Sequence, residues 1–455
     1  MFVRSLVFAT LVGIFMFAAV LGTRASQAPE TTVRALELIS PLPDKPVAAI
    51  KWFKDRGNKD AIPALIQALR FSDTHRREIV DAIETLSGES GPKSWSAWML
   101  WQQKHKEIKP FNGFATFKAA LYSKIDPFFN VFLHDGVAHE IRLEEITWGG
   151  VVKDGIPALT NPKLLTAKEA TYLTDDELIF GVSINGDTRA YPLRILDWHE
   201  MFNDVVGGVP VSLAYCTLCG SGILFETAVK GRKKPFIFGS SGFLYRSNKL
   251  MYDTETNSLW NQFTGRPVVG ALTGSGIELK ARPVAITSWG DWLKANPETR
   301  VLSLNTGFTR DYKPGAPYGS YFSSDKLMFP VLVDETRLKA KDYVFALRSS
   351  GAEKAWPLSL FEKKAVINDT AGAISLSLVG NAKTRTVRAY RTDGQIFSQG
   401  DGADSVTLDG ENWKVTENAL VGPDGKRLHR LPGHIAYWFA WNGYLGDGGE
   451  VAKAN

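Results

Sequence analysis

Cys216 and Cys219 are the only cysteines of a 455-residue chain. They stand in the stretch Tyr215-Cys216-Thr217-Leu218-Cys219-Gly220-Ser221-Gly222. Two sulfurs at this spacing close a small disulfide ring or bite one soft metal ion. An apolar run from Val209 to Ala214 leads into the pair, and another from Ile223 to Phe225 leaves it. That pattern predicts a strand, a tight turn and a second strand, with both thiols at the bend. The plainer reading is a pair of space-filling thiols, since free cysteine is among the most buried residue types. A chain that avoids cysteine elsewhere argues for a chemical purpose.

Other residues extend this to a ligand set. His199 lies on a helix predicted just before the strand that delivers Cys216, and Met251 lies in a Leu-Met-Tyr-Asp segment. Cysteine, histidine and thioether donors suit copper, and two cysteines with a histidine suit zinc. The expected metal site is therefore Cys216, Cys219, His199 and Met251, with copper preferred and zinc next. The plainer roles are a histidine bonded to Glu200 or Asp204, and a methionine filling the core. A second reading is thiol–disulfide exchange. The Cys-x-x-Cys spacing suits it, but the context lacks the helix N-terminus that depresses a thiol pKa. A third reading is a non-catalytic module that binds flat or apolar ligands in a cleft lined by Trp260, Trp289, Trp292, Trp438 and Trp441. Core packing is the plainer role for those rings. Enzymatic activity is left open.

Other candidates carry less. Gly270 to Gly276 is glycine-rich, but no Lys-Ser or Lys-Thr follows as a phosphate loop requires. Gly239-Ser240-Ser241-Gly242 lacks the spacing of a nucleophile turn. Asp253 and Glu255 read as a solvated turn.

The elements that position these residues are read as two similar α+β halves. Ala190-Tyr191-Pro192-Leu193 recurs as Ala355-Trp356-Pro357-Leu358, and Asn203-Asp204 recurs as Asn368-Asp369, both at a step of 165 residues. Gly207 falls on Gly372 at the same step, and Trp289-x-x-Trp292 matches Trp438-x-x-Trp441 more loosely. The expected fold is a duplicated mixed domain about a pseudo-twofold axis. Features present in both halves read as scaffold; features present in one are candidates for function. At that step Cys216 falls on Asn381, Cys219 on Thr384 and His199 on Lys364. The cysteine pair and His199 thus belong to the first half alone. Within that half, Leu178 to Asn185 and Thr188 onward read as strands joined by an Asn185-Gly186-Asp187 turn, and Asp197 to Val205 reads as a helix.

Before the halves, Ile62, Leu65, Ile66 and Leu69 recur with helical period, as do Ile79, Ile83 and Leu86. Asp73 or Thr74 is placed to cap the second run, and Trp95, Trp98 and Trp101 form a stripe. This helical module resembles a HEAT-type repeat and holds too few units to be a solenoid. Arg4, the apolar run Ser5 to Gly22 and the small residues after it read as a secretory signal peptide or an uncleaved N-terminal anchor. The boundaries expected are 1–25 for that leader, 26–45 for a linker and 46–110 for the helical module. A connecting segment follows at 111–162, then the halves at 163–310 and 311–455.

Net charge is +5 and charged residues make up 22%. That is too mild for a nucleic-acid binder. The expected partners are a small-molecule or metal ligand, with membrane contact only through the leader. The block Asp197 to Phe225 resembles the signature of the domain-of-unknown-function 3179 family of bacteria and archaea. Lys153-Asp154-Gly155-Ile156-Pro157-Ala158, Ser241-Gly242-Phe243-Leu244-Tyr245, Leu250-Met251-Tyr252-Asp253 and Ser258-Leu259-Trp260-Asn261-Gln262 add to the resemblance. It is good from about Ile141 to Arg300 and weaker to Trp441. It implies no established activity. It does imply export, and with the leader this predicts a periplasmic or otherwise exported protein, free or held by an N-terminal membrane anchor.

Overall fold

The structure is a computed structural model that describes residues 29–453 apart from 92, 93, 403, 447 and 448. The leader at 1–25 lies outside the described residues. No helix among the described residues is long and apolar enough to cross a membrane.

Helix and sheet are mixed, with six helices gathered in an N-terminal region: Glu30–Glu37, Asp44–Arg56, Ile62–Phe71, Arg76–Ser87, Trp95–Lys104 and Phe114–Ser123. Gly57 and Gly88 end two of them in the left-handed region, at φ 67° and 81°, which glycine adopts without a Cβ penalty. Two details depart from the sequence reading. Residues 30–37, read within a linker, are helical because Thr32 and Ala35 are buried, a tertiary contact that a polar composition conceals. The helix starting at Arg76 has His75 at its N-cap and no side-chain cap.

This helical region shares its core with the first sheet. Lys118 is wholly buried; its Nζ donates to Ile146 O (2.6 Å) and Gln67 Oε1 (3.2 Å). Gln67 Nε2 donates to Glu144 O at 2.8 Å. These bonds tie the helices to the strand Ile146–Trp148, which pairs with Phe238–Tyr245. The next strand across is Asn248–Asp253.

The cysteine turn sits in a neighbouring five-stranded sheet. Its strands Met201–Val206, Val209–Cys216 and Ser221–Glu226 run antiparallel, with Tyr215 opposite Gly222 and Cys216 opposite Ser221. Thr217–Cys219 is a single 3₁₀ turn. The strand–turn–strand expectation therefore holds, although Ser221 and Gly222 are already in the second strand. The helix expected at 197–205 is instead Leu193–His199 followed by the strand Met201–Val206. Pro192, the last residue of the preceding strand, is the N-cap of that helix in extended backbone. Glu200 ends it at φ 54°, and the strand forms because Val209–Ala214 is available to pair.

Five consecutive strands recur with the same bounds 165 residues later. Leu178–Ile184 corresponds to Tyr343–Ser349, Asp187–Pro192 to Ala352–Pro357, Met201–Val206 to Val366–Ala371, Val209–Cys216 to Ile374–Asn381, and Ser221–Glu226 to Thr386–Arg391. Polar contacts recur too. Asp204 accepts from Arg189 Nη1 and Tyr191 Oη, both at 2.7 Å; Asp369 accepts from Lys354 Nζ (3.1 Å) and Trp356 Nε1 (2.8 Å). The Asn203 side chain bonds the Phe238 backbone N and O, both at 2.9 Å. Asn368 does the same to Phe397, at 2.9 and 2.7 Å. The contacts between halves are reciprocal. Ser221–Glu226 packs on His434–Tyr437, while Thr386–Arg391 packs on Ala285–Ser288.

Candidate functional site

The turn that carries the sulfurs is held from both sides of the hairpin. Glu200 adopts a backbone conformation that non-glycine residues seldom occupy, and its carbonyl accepts from Tyr215 N at 2.7 Å. Its carboxylate pairs with the Lys249 ammonium, and Thr217 Oγ1 donates to its other oxygen at 3.4 Å. Lys249 Nζ also reaches Ser240 Oγ at 3.1 Å. Both members of this ion pair are buried, so leaving either one alone would cost about 3–5 kcal/mol. On the other side Gln262 Nε2 donates to Ala214 O (2.7 Å) and Ser221 O (2.9 Å), clamping the two strands just beyond the turn.

Cys216 and Cys219 are bonded to each other as a disulfide, with Cα atoms 5.2 Å apart. Cys216 is 3% exposed and Cys219 0%. Asn248 Nδ2 lies 3.4 Å from Cys219 Sγ while donating to Gln262 Oε1 at 2.8 Å. Gly220, at φ 58°, closes the turn because the Tyr343 and Tyr437 rings stand where a larger side chain would extend. Those rings stack at 4.4 Å and join their hydroxyls at 2.9 Å. The second half thus seals one side of the first half's turn.

Residues 303–342, the linker between the strands Arg300–Leu302 and Tyr343–Ser349, cover the other side. Tyr321 Oη donates to Leu218 O at 2.9 Å, inside the cysteine turn itself. Trp198 Nε1 donates to Asp311 O at 2.6 Å. His199 Nδ1 donates to Pro157 O at 2.8 Å, which leaves Nε2 bare to accept from Tyr312 Oη at 2.7 Å. Burial holds the His199 pKa below its ordinary value, and the Arg310 charge adds to this. Asp197 is 5% exposed and accepts from Tyr215 Oη at 3.2 Å. Burial pushes its carboxyl up to about 7 against the Tyr215 hydrogen bond, and the Glu200 charge pushes the same way. Burial also raises the Tyr318 hydroxyl, helped by Glu200 and Asp197.

Of the residues proposed to hold metal, Cys216, Cys219 and Met251 share one apolar cluster. They do not fit a copper or zinc ligand set as arranged. The sulfurs are bonded to one another, and both His199 nitrogens are engaged elsewhere. Among the described residues no group of three or more His, Cys, Asp or Glu side chains is placed to hold a metal ion. Trp260, Trp292, Trp438 and Trp441 are at most 1% exposed, and Trp289 is 4% exposed. These rings are interior: Trp292 packs on Gly181, where a Cβ would overlap the indole.

Sequence reasoning missed Asp197, Glu200, Lys249, Tyr312, Tyr318 and Tyr321. Of the two carboxylates, Glu200 carried the same signal as the cysteines, whereas Asp197 has an acidic counterpart. At the step of 165 Asp197 falls on Glu362, Glu200 on Ala365, Tyr215 on Gly380 and Thr217 on Ala382. The linker tyrosines have no partner position, and only the path of the chain brings them to the turn.

A family model described as "Protein of unknown function (DUF3179)" matches residues 153–448. The chain belongs to that family. The match takes in both halves and the linker over the turn, and it begins at Lys153, past the helical region. No curated protein and no solved structure matches this chain.

Proposed function

We propose that Cys216 and Cys219 form a thiol–disulfide redox centre carried by the first half alone. The observation that supports this best is the bonded sulfur pair, set beside the Glu200–Lys249 ion pair, at a turn whose counterpart has Asn381 and Thr384. A partner dithiol supplies the reaction. Its thiolate attacks Cys216 Sγ, the less buried sulfur, and the S–S bond breaks. Cys219 leaves as the thiolate, accepting the Asn248 Nδ2–H. The partner's second thiolate then attacks the mixed disulfide. The partner ends as a disulfide, and Cys216 and Cys219 end as two thiols that have taken up two electrons and two protons. The export expected from the leader would place the centre where disulfide-bearing partners occur.

We read the two halves as products of one duplication, supported by the shared strand bounds, and the helix pair Ile62–Phe71 and Arg76–Ser87 as HEAT-like. On that reading the copy ending in Asn381 keeps the scaffold without the chemistry. The test is equilibration of the protein in dithiol redox buffers, with trapping of free thiols and mass measurement. A midpoint between about −270 and −120 mV matches known exchange proteins. A pair still bonded below about −300 mV is a structural bridge, and the proposal fails.

A further inference from the structure

A cavity of about 870 Å³ lies away from the cysteine turn in the crevice between the halves. Its size is that of a small-molecule site. Both halves build it: Ser183 of the first is bridged to Asn418 of the second at 3.3 Å. Its walls carry five cationic side chains, Arg266, Lys280, Arg282, Arg348 and Arg430, against the two acids Glu278 and Glu353. Some of this charge is spent internally. Arg348 Nη2 reaches Glu278 Oε1 at 2.7 Å, and Lys280 and Arg282 both reach Glu226. Arg430 is 8% exposed; it donates to Glu417 and Val284 O, yet its Nε has no partner among the described residues. Burial alone would raise the Glu278 carboxyl, but hydrogen bonds from Arg266 and Arg348 bring it below its ordinary value. The crevice is therefore positive after its own acids are counted. Arginine forks, which match carboxylate and phosphate geometry, supply most of that charge.

We propose that this crevice binds a small organic or inorganic polyanion, through phosphate or carboxylate groups set between Arg348, Arg430, Arg282 and the rim Lys280. The occupant is anionic because a neutral or cationic molecule would leave the excess guanidinium charge uncompensated. It is small because the space measures about 870 Å³. The site is independent of the redox centre, since it uses no residue of the cysteine turn.

Titration calorimetry of the full protein with pyrophosphate and with citrate, at low and at high salt, tests this. One-to-one binding that weakens with salt is expected. Arg348→Ala should weaken it about tenfold or more, the worth of one charged hydrogen bond. Tighter binding of pyrophosphate assigns phosphate chemistry, and tighter binding of citrate assigns carboxylate chemistry. Lys280→Ala, whose side chain is 66% exposed, removes a rim charge without disturbing the core. It should weaken binding severalfold even if the Arg348 variant does not fold. Absence of heat with both anions, or equal affinity in wild type and both folded variants, overturns the proposal.

Discussion

Asp197→Asn tests the reasoning about the site's burial most directly. An aspartate in an unfolded chain titrates near 3.9; in the fold burial moves Asp197 to about 7. Between those values the native state holds a proton that the unfolded state has lost. The resulting stability is fully present below about pH 4 and is lost as pH rises through about 7. At about 1.4 kcal/mol per unit the whole effect is roughly 4 kcal/mol, of which roughly 2.5 kcal/mol falls between pH 5 and pH 8. Asparagine keeps an oxygen for the Tyr215 hydroxyl and has no charge to desolvate. Urea unfolding followed by tryptophan fluorescence, at steps from pH 5 to 8, should show wild type losing roughly 2.5 kcal/mol relative to the variant. Parallel profiles for the two proteins would refute the buried-carboxyl account, because every other titrating group is common to both.

Asp204→Ala removes the acceptor shared by Arg189 and Tyr191, while Asp187 still pairs with Arg189; chemical denaturation should show a loss of about 1–3 kcal/mol. The same change at Asp369, whose side chain is 27% exposed, should cost less. Gly207→Ala places a Cβ on the Ile184 carbonyl at a φ of 53°; a destabilisation of at least about 1–3 kcal/mol is expected from the same measurement. Tyr321→Phe removes the linker's hydrogen bond to Leu218 O. Reduction of Cys216–Cys219 by a small dithiol should then speed up, and an unchanged rate would show that the linker does not limit access.

What could be read from the chain was local pattern and self-similarity. Apolar runs around Val209–Phe225 pointed to the cysteine hairpin, Asn185-Gly186 to the turn between Leu178–Ile184 and Asp187–Pro192, and helical period to Ile62–Phe71 and Arg76–Ser87. Comparison at a fixed step singled out Cys216, Cys219 and His199, and it held the same information about Glu200; Asp197, opposite Glu362, was hidden from it. The misread elements were those whose state is decided by a distant neighbour. Met201–Val206 is a strand because it has Val209–Ala214 to pair with, and Glu30–Glu37 is a helix because it has a surface to pack on.

Residue identity and spacing determined on their own that two sulfurs would sit at one bend of one half, since hydrophobic period and a repeated register are properties of the string. Only the tertiary structure decided that His199 spends both nitrogens on Pro157 and Tyr312, that Lys249 neutralises Glu200, and that the tryptophans fill the interior. Hydrogen-bond partners and desolvation arise between segments far apart in the chain, and no spacing rule carries them.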